Sequence, residues 1–289
     1  MPAQTVYLNG QYLPVEQAQV SVMDRGFLLA DGVYEVIPVY GGQPFRLTQH
    51  LQRLRNSLAG IRLDLDVSDS QWSDILNRLI ADQDSTELSV YLQVTRGSAA
   101  KRDHGFPSEV SPTVFVMVNP IPPLDPKLAQ QGIHAILLDD IRWQRCDIKA
   151  ITLLANVLLR QQAHDLGAQE AILVRDNLAL EGAASNLFVV DGSKLITPPK
   201  SRYVLPGITR DLVLELAPAA GLVATEQDIP AQSLPGYDEI WLTSSTKEIM
   251  PVTLLDDKVI SKAKPGPVWQ RMTQAYHDFK QTLGQDSCP

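Results

Sequence analysis

The residues Asp140-Ile-Arg-Trp-Gln-Arg-Cys-Asp147-Ile148-Lys149-Ala150 set one lysine between two core-seeking runs: Ile133 to Leu138, which reads as a strand, and a helical pattern of Ile151, Leu154, Leu158 and Ala163. Loss of water at such a junction disfavours an ammonium and leaves a neutral amine. A neutral amine attacks carbonyl carbon, which is the chemistry of a Schiff-base lysine, and pyridoxal 5'-phosphate is the commonest protein-bound partner of such a lysine. The competing reading is a lysine whose stem simply carries its charge out to solvent.

Other residue types along the chain suit the same chemistry without proving it alone. Arg102 and His104, two apart in the turn-rich loop Arg96 to Pro107, point to one side of an extended segment and can hold a carboxylate, although a solvated loop tip has the same composition. Glu181 precedes Gly182 and small residues, where backbone can approach a flat ligand; an ionised carboxylate there would keep a pyridine nitrogen protonated, whereas a surface turn would need neither. Leu205-Pro206-Gly207-Ile208-Thr209 opens a helix whose first N–H groups form an anion site, and the hydroxyls of Thr243 to Thr246 offer a second. Arg53 flanks an apolar stripe, so it either covers that stripe or aims its guanidinium at a phosphate. Tyr34 lies in a strand and is open to both packing and a site role.

These residues have to be positioned by the elements around them. Val6 to Leu13 reads as a hairpin turning at Asn9-Gly10, and Asp31 to Leu47 as a second, broken by Gly41-Gly42. Alternation puts Tyr34 and Val36 on one face and Val33, Glu35 and Ile37 on the other. Leu47, Leu51, Leu54, Leu58 and Ile61 define a helix with Thr48 as N-cap; Trp72, Ile75, Leu76, Leu79 and Ile80 define another. Strands are predicted at Leu88–Thr95, Thr113–Val118, Glu170–Arg175, Leu187–Val190 and Tyr237–Leu242, with a hairpin over Val252–Ile260. Val268, Met272, Tyr276, Phe279 and Leu283 form the stripe of a last helix. Asn119 to Pro126 holds four prolines in eight residues, which opposes regular structure and marks a boundary. Two domains follow: residues 1–120, a linker 121–129, and 130–289.

The totals exclude several classes. With 289 residues, 44% hydrophobic and 20% charged, the chain is an ordinary globular one, and a net charge of -8 without a dense basic cluster argues against nucleic acid. Cys146 and Cys288 are far apart and lack metal-ligand spacing, so no disulfide framework and no metal is expected. Met1-Pro-Ala-Gln-Thr-Val-Tyr-Leu has no basic region followed by an apolar run, and no stretch of about 18 apolar residues occurs anywhere, so a cytoplasmic protein without membrane partners is expected.

Six motifs in order give the chain a resemblance: Asp24-Arg25-Gly26, Asp31-Gly32-Val33-Tyr34-Glu35-Val36, Val94-Thr95-Arg96-Gly97, Asp140 to Lys149, Glu181-Gly182 with Ser185-Asn186, and Gly207-Ile208-Thr209-Arg210. Together they resemble the D-amino acid aminotransferases among the class IV aminotransferases, pyridoxal phosphate enzymes of fold type IV. The resemblance implies an α/β (α+β) fold with a small N-terminal domain, a larger C-terminal domain and the cofactor in the cleft. It further implies transfer of an amino group from a D-amino acid such as D-alanine to a 2-oxo acid such as 2-oxoglutarate, in a homodimer. By the same resemblance Lys149 is the Schiff-base lysine and Glu181 the pyridine-nitrogen partner. Arg53, Ile208, Thr209, Ser245 and Thr246 correspond to phosphate-binding positions, and Leu205 lies against the ring. Tyr34, Arg102 and His104 correspond to a carboxylate trap, a feature that separates this subgroup from branched-chain L-amino acid aminotransferases and aminodeoxychorismate lyases. Leu29-Ala30 and Ala183-Ala184 depart from the usual pattern, which bears on substrate range more than on reaction type.

Overall fold

The computed structural model describes residues 4–109, 111–123 and 125–282. Met1 to Ala3, Leu124 in the proline-rich stretch, Leu283 at the end of the last predicted stripe, and Cys288 lie outside the described residues. Among these residues the strands form two sheets, of six and ten strands, with helices interspersed between them in the chain, a mixed α/β protein. The chain divides into two compact units: 1–121 with 148–152, and 122–147 with 153–289. The segment that carries Lys149 thus belongs to the first unit although both its chain neighbours belong to the second, a crossing that a single boundary at the prolines does not describe.

In the first unit all pairings are antiparallel. Thr5–Leu8 and Gln11–Pro14 make the predicted hairpin, with Asn9 (φ 49°) and Gly10 (φ 90°) in the left-handed region that its tight turn demands. Thr5–Leu8 then pairs with Thr113–Pro120, which pairs with Leu88–Thr95, which pairs with Gly32–Tyr40; the short Gln43–Pro44 forms the far edge. The alternation read from Val33 to Ile37 holds, with Val33, Glu35 and Ile37 buried and Tyr34 and Val36 half-buried. Helices Leu47–Gly60 and Asp69–Ala81 bury Leu51, Leu54, Leu58, Trp72, Leu76 and Leu79 in one core with Val90, Leu92, Val116 and Val118 of the sheet. Each such side chain contributes about 1.5–3 kcal/mol through burial. Thr48 is not the cap of the first helix: the helix starts at Leu47, preceded by Arg46 at φ 52°, so the turn of the backbone rather than a hydroxyl ends the preceding strand region. The second helix does carry a capping box, Ser68 with Gln71.

The second unit is built on the ten-stranded sheet. Asn186–Asp191, Glu239–Ser244, Glu248–Leu255, Ile133–Asp139, Glu170–Arg175 and Leu178–Gly182 pair in that order, and Leu178–Gly182 returns to Asn186–Asp191 through the pair Glu181 and Asn186, which closes a ring of six strands. Lys194–Thr197 and Val223–Glu226 extend it on one side. Pro120 ends a strand and Pro126 begins the short helix Pro126–Gln131, so the prolines mark element ends as well as interrupting structure. The helix predicted from Ile151, Leu154, Leu158 and Ala163 runs over Leu154–Asp165 without Ile151, and its buried residues are Leu159 and Ala163. Leu154, Val157 and Leu158 are 72%, 60% and 54% exposed, so most of the apolar stripe faces outward. The last helix, Pro267–Thr282, buries Val268, Trp269, Met272 and Tyr276. No helix among the described residues is long and apolar enough to cross a membrane.

Candidate active site

Lys149 sits on a strap moored to the strand Gly32–Tyr40 by main chain. Its carbonyl accepts the N–H of Tyr34 at 2.9 Å, Ala150 bridges Val33, and the N–H of Ile151 reaches the carbonyl of Gly32 at 3.1 Å. The Lys149 N–H donates to Ser57 Oγ at 3.1 Å, which ties the strap to the helix Leu47–Gly60 as well. Ile148 and Ala150 on either side are buried in the core of this unit, so the lysine is fixed at its backbone by two anchors. Gly60 packs closely there: a Cβ on it would stand 2.9 Å from Ile148 Cδ1 and Cγ1, so the Ile148 side chain would have to shift. The Lys149 side chain is half-buried, and its Nζ lies 4.2 Å from the centroid of the Tyr34 ring. Tyr34 in turn packs against Tyr91, ring centroids 5.7 Å apart.

Behind Tyr34, on the opposite face of the strand, Glu35 is fully buried. It accepts from Arg53 Nε (2.7 Å, on Oε1), Arg53 Nη2 (2.7 Å, on Oε2) and His50 Nδ1 (2.8 Å, on Oε2). Burial pushes the Glu35 carboxyl up, but the charge and hydrogen bonds of Arg53, with His50, overcome this and bring it down to about 2. Burial lowers the His50 imidazole against the opposing pull of Glu35. Arg53, expected beside a phosphate, therefore has Nε and Nη2 held in a carboxylate fork.

Arg102 and His104 are exposed on the loop after Gly97. That loop is held from beneath by Arg25, 4% exposed, whose guanidinium donates to the carbonyls of Asp103, His104 and Gly105 and to Asp31. Asp31 also accepts from Arg96, whose guanidinium lies 3.9 Å from the centroid of the Phe106 ring.

In the second unit, Glu181 is 3% exposed, against the surface turn its position also allowed. Oε1 accepts from Arg142 Nη1 at 2.5 Å; Oε2 accepts from Asn186 Nδ2 and from the Leu205 N–H, both at 3.0 Å. Arg142 also forks onto Asp140, and Arg175 reaches Asp140 at 3.1 Å. Burial drives the Glu181 carboxyl upward, with the Arg142 charge and hydrogen bond and the Leu205 N–H only partly opposing it. A buried carboxylate in that condition is complementary to a cation, such as a protonated ring nitrogen. Ile208 and Thr209 are buried at the first turn of the helix Ile208–Leu216, whose preceding Gly207 supplies no side-chain cap. A Cβ at Gly207 would meet Asn186 Oδ1, so only glycine lets the helix start come this near to Asn186. Ser245 and Thr246 are half-buried in the turn between Ser244 and Glu248.

The first unit thus brings Lys149 together with Tyr34, and the second brings Glu181 together with Leu205. Glu35, Arg142, Asp140 and Arg25 stand in the motifs quoted from the sequence but are given no role there. For Glu35 a signal existed: alternation sets a carboxylate on the buried face between Val33 and Ile37, and a buried carboxylate requires a partner. Among the described residues no cluster of potential metal ligands occurs.

Comparison with known proteins gives the class. A family model described as amino-transferase class IV matches residues 32–255, and the chain belongs to that family. It is 38% identical over 270 residues, 93% of this chain and 95% of the relative, to a D-alanine aminotransferase of Bacillus licheniformis. Among solved structures it superposes on the branched-chain amino acid aminotransferase of Escherichia coli with a TM-score of 0.86 at 28% identity, covering 95% of this chain and 93% of that one. A fold IV transaminase from Curtobacterium pusillum gives a TM-score of 0.81 at 25% identity, covering 94% of this chain and 97% of that one. The fold is that of the type IV aminotransferases.

Proposed function

We propose that the chain is a pyridoxal 5'-phosphate-dependent D-amino acid aminotransferase of the D-alanine type, with 2-oxoglutarate or a similar 2-oxo acid as acceptor. The observation that carries this reading is Lys149, fixed at its backbone by Tyr34 and Ser57 with its Nζ over an aromatic ring. When bound, pyridoxal phosphate supplies an aldehyde for an amine and a ring that accepts the electrons left by a departing α-proton.

The residues present fit such a group. Lys149 Nζ holds the cofactor and moves the proton to and from the substrate α-carbon. Glu181 holds a proton on the ring nitrogen, a role that its buried, upward-shifted carboxyl suits because a facing cation restores the ionised form. The uncapped N–H groups of Ile208 and Thr209, with Ser245, Thr246 and Arg53, would take the phosphate, and Leu205 would face the ring. Tyr34, Arg102 and His104 bind the substrate α-carboxylate, which fixes the hand of the α-carbon. A cytoplasmic homodimer is part of the same reading, and the outward Leu154, Val157 and Leu158 support a second copy of the chain as their cover.

The branched-chain reading shares the fold but gives Arg102 and His104 no role. Assaying D-alanine, L-valine and aminodeoxychorismate side by side decides it: turnover of D-alanine alone is expected, and preference for L-valine would overturn it.

A further inference from the structure

Arg25 opens the short helix Arg25–Leu29, where Asp24 caps it by accepting the Gly26 N–H at 2.7 Å. An arginine at such a place ordinarily reaches water, yet this one is 4% exposed. Its donors are committed. Nε donates to Asp31 Oδ2 at 2.8 Å, Nη1 to the carbonyls of Asp103 (2.6 Å) and Gly105 (3.2 Å), and Nη2 to the carbonyl of His104 (3.4 Å). Three consecutive carbonyls thus converge on one guanidinium, immediately after Arg102 and across His104. The orientation of that guanidinium is set by Asp31, which Arg96 grips from the other side at 2.8 and 3.1 Å. Arg96 also donates to the carbonyls of Ile61 (2.7 Å) and Arg62 (3.2 Å) and lies under Phe106, so the far end of the loop is held by the same network.

We infer that Arg25 is a positioning residue for substrate carboxylate binding: it fixes the backbone of residues 103–105 and so sets where Arg102 and His104 present their donors. The inference rests on the carboxylate-trap reading given above. A loop that is otherwise exposed, with its N–H groups outside any strand, has few means of holding two side chains in a fixed pose. A fork of planar donors onto successive carbonyls supplies one, and lysine cannot reproduce it because its donors share a single nitrogen.

The test uses the holoenzyme with D-alanine and, as a carboxylate lacking the amine, propionate. For Arg25→Gln and Arg25→Lys the KM for D-alanine and the Ki for propionate are expected to rise between about 10- and 100-fold, because small misplacement of binding groups has effects of that size. Neither kcat nor cofactor affinity should move by more than a few-fold. In an Arg102→Ala/His104→Ala background, Arg25→Lys should add no further rise. Unchanged KM and Ki in Arg25→Lys, or a full additional rise in the double-alanine background, would overturn the inference. If Arg25→Gln does not fold, Arg25→Lys, which keeps the charge against Asp31, carries the test. Arg102→Ala separates the two ideas: if it leaves KM and Ki unchanged, the carboxylate-trap reading itself fails, whereas a rise there without one in Arg25→Lys sinks only the positioning role.

Discussion

The Lys149 carbonyl accepts the Tyr34 N–H at 2.9 Å while the Lys149 Nζ lies 4.2 Å from the Tyr34 ring centroid, so the two residues are joined twice, by main chain and by side chain. An amine whose backbone is pinned to the strand carrying its aromatic neighbour has only its own four-carbon stem left to move. That is the freedom a proton carrier needs and little more.

Lys149→Ala and Lys149→Arg should each lower the amino-transfer half-reaction with D-alanine by at least about 10²–10⁴-fold, the usual contribution of a positioned proton carrier. Rapid-mixing absorbance measurements check the rate. Borohydride reduction of the wild-type holoenzyme followed by peptide mapping should label residue 149; label elsewhere contradicts the assignment.

Glu35 makes stability depend on pH. Its carboxyl is depressed from 4.5 to about 2 in the folded chain, so the stabilisation it gives is fully present above about 4.5 and is lost as pH falls toward 2. Near neutrality Glu35→Gln should cost about 3–5 kcal/mol, because Arg53 is left buried beside a neutral amide. Urea unfolding of both proteins between pH 3 and 7, at intervals of about one unit, should show the gap narrowing at the acid end. A gap that stays constant excludes this account.

Gly207→Ala would put a Cβ 1.8 Å from Asn186 Oδ1, and Asn186 Nδ2 donates to both Glu181 Oε2 and the Leu205 carbonyl. Displacing it leaves a buried carboxylate short of a donor, a loss of about 1–3 kcal/mol. Weaker retention of pyridoxal phosphate, read by fluorescence titration, should accompany it. Gly236→Ala, where a Cβ meets nothing within 4 Å, is the control and should match wild type in cofactor retention.

Leu154→Glu/Leu158→Glu should turn the proposed dimer into a monomer in sedimentation velocity, since it sets charge on the outward stripe of Leu154–Asp165. A dimer that survives both changes places the contact elsewhere.

How much of this was legible beforehand follows from what each signal encodes. Leu88–Thr95 matches its predicted span, and Thr113–Pro120 exceeds its own by two residues, because β-branched runs bounded by turn residues encode strands locally. The Asn9-Gly10 turn was equally plain, since few other pairs tolerate two positive φ angles. Periodicity found the helix at Leu154–Asp165 but misjudged its orientation: an apolar stripe says that water is avoided, not what excludes it. Lys149 and Glu181 could be singled out by type and spacing. Their partners could not, because Arg142 beside Glu181, or Arg25 beneath the carbonyls of residues 103–105, are pairings made by the tertiary fold across 39 and about 80 positions.

The strap at 148–152 belongs to the unit on the N-terminal side of the prolines, yet it is encoded well beyond them. A gene cut at Pro122 would therefore part Val33 from Ala150 and Tyr34 from Lys149. Chimaeras assembled from two relatives at that apparent seam inherit the lysine's mooring strand from one parent and the lysine from the other. An exchange that keeps residues 32–36 and 148–152 from one parent leaves this mooring undivided.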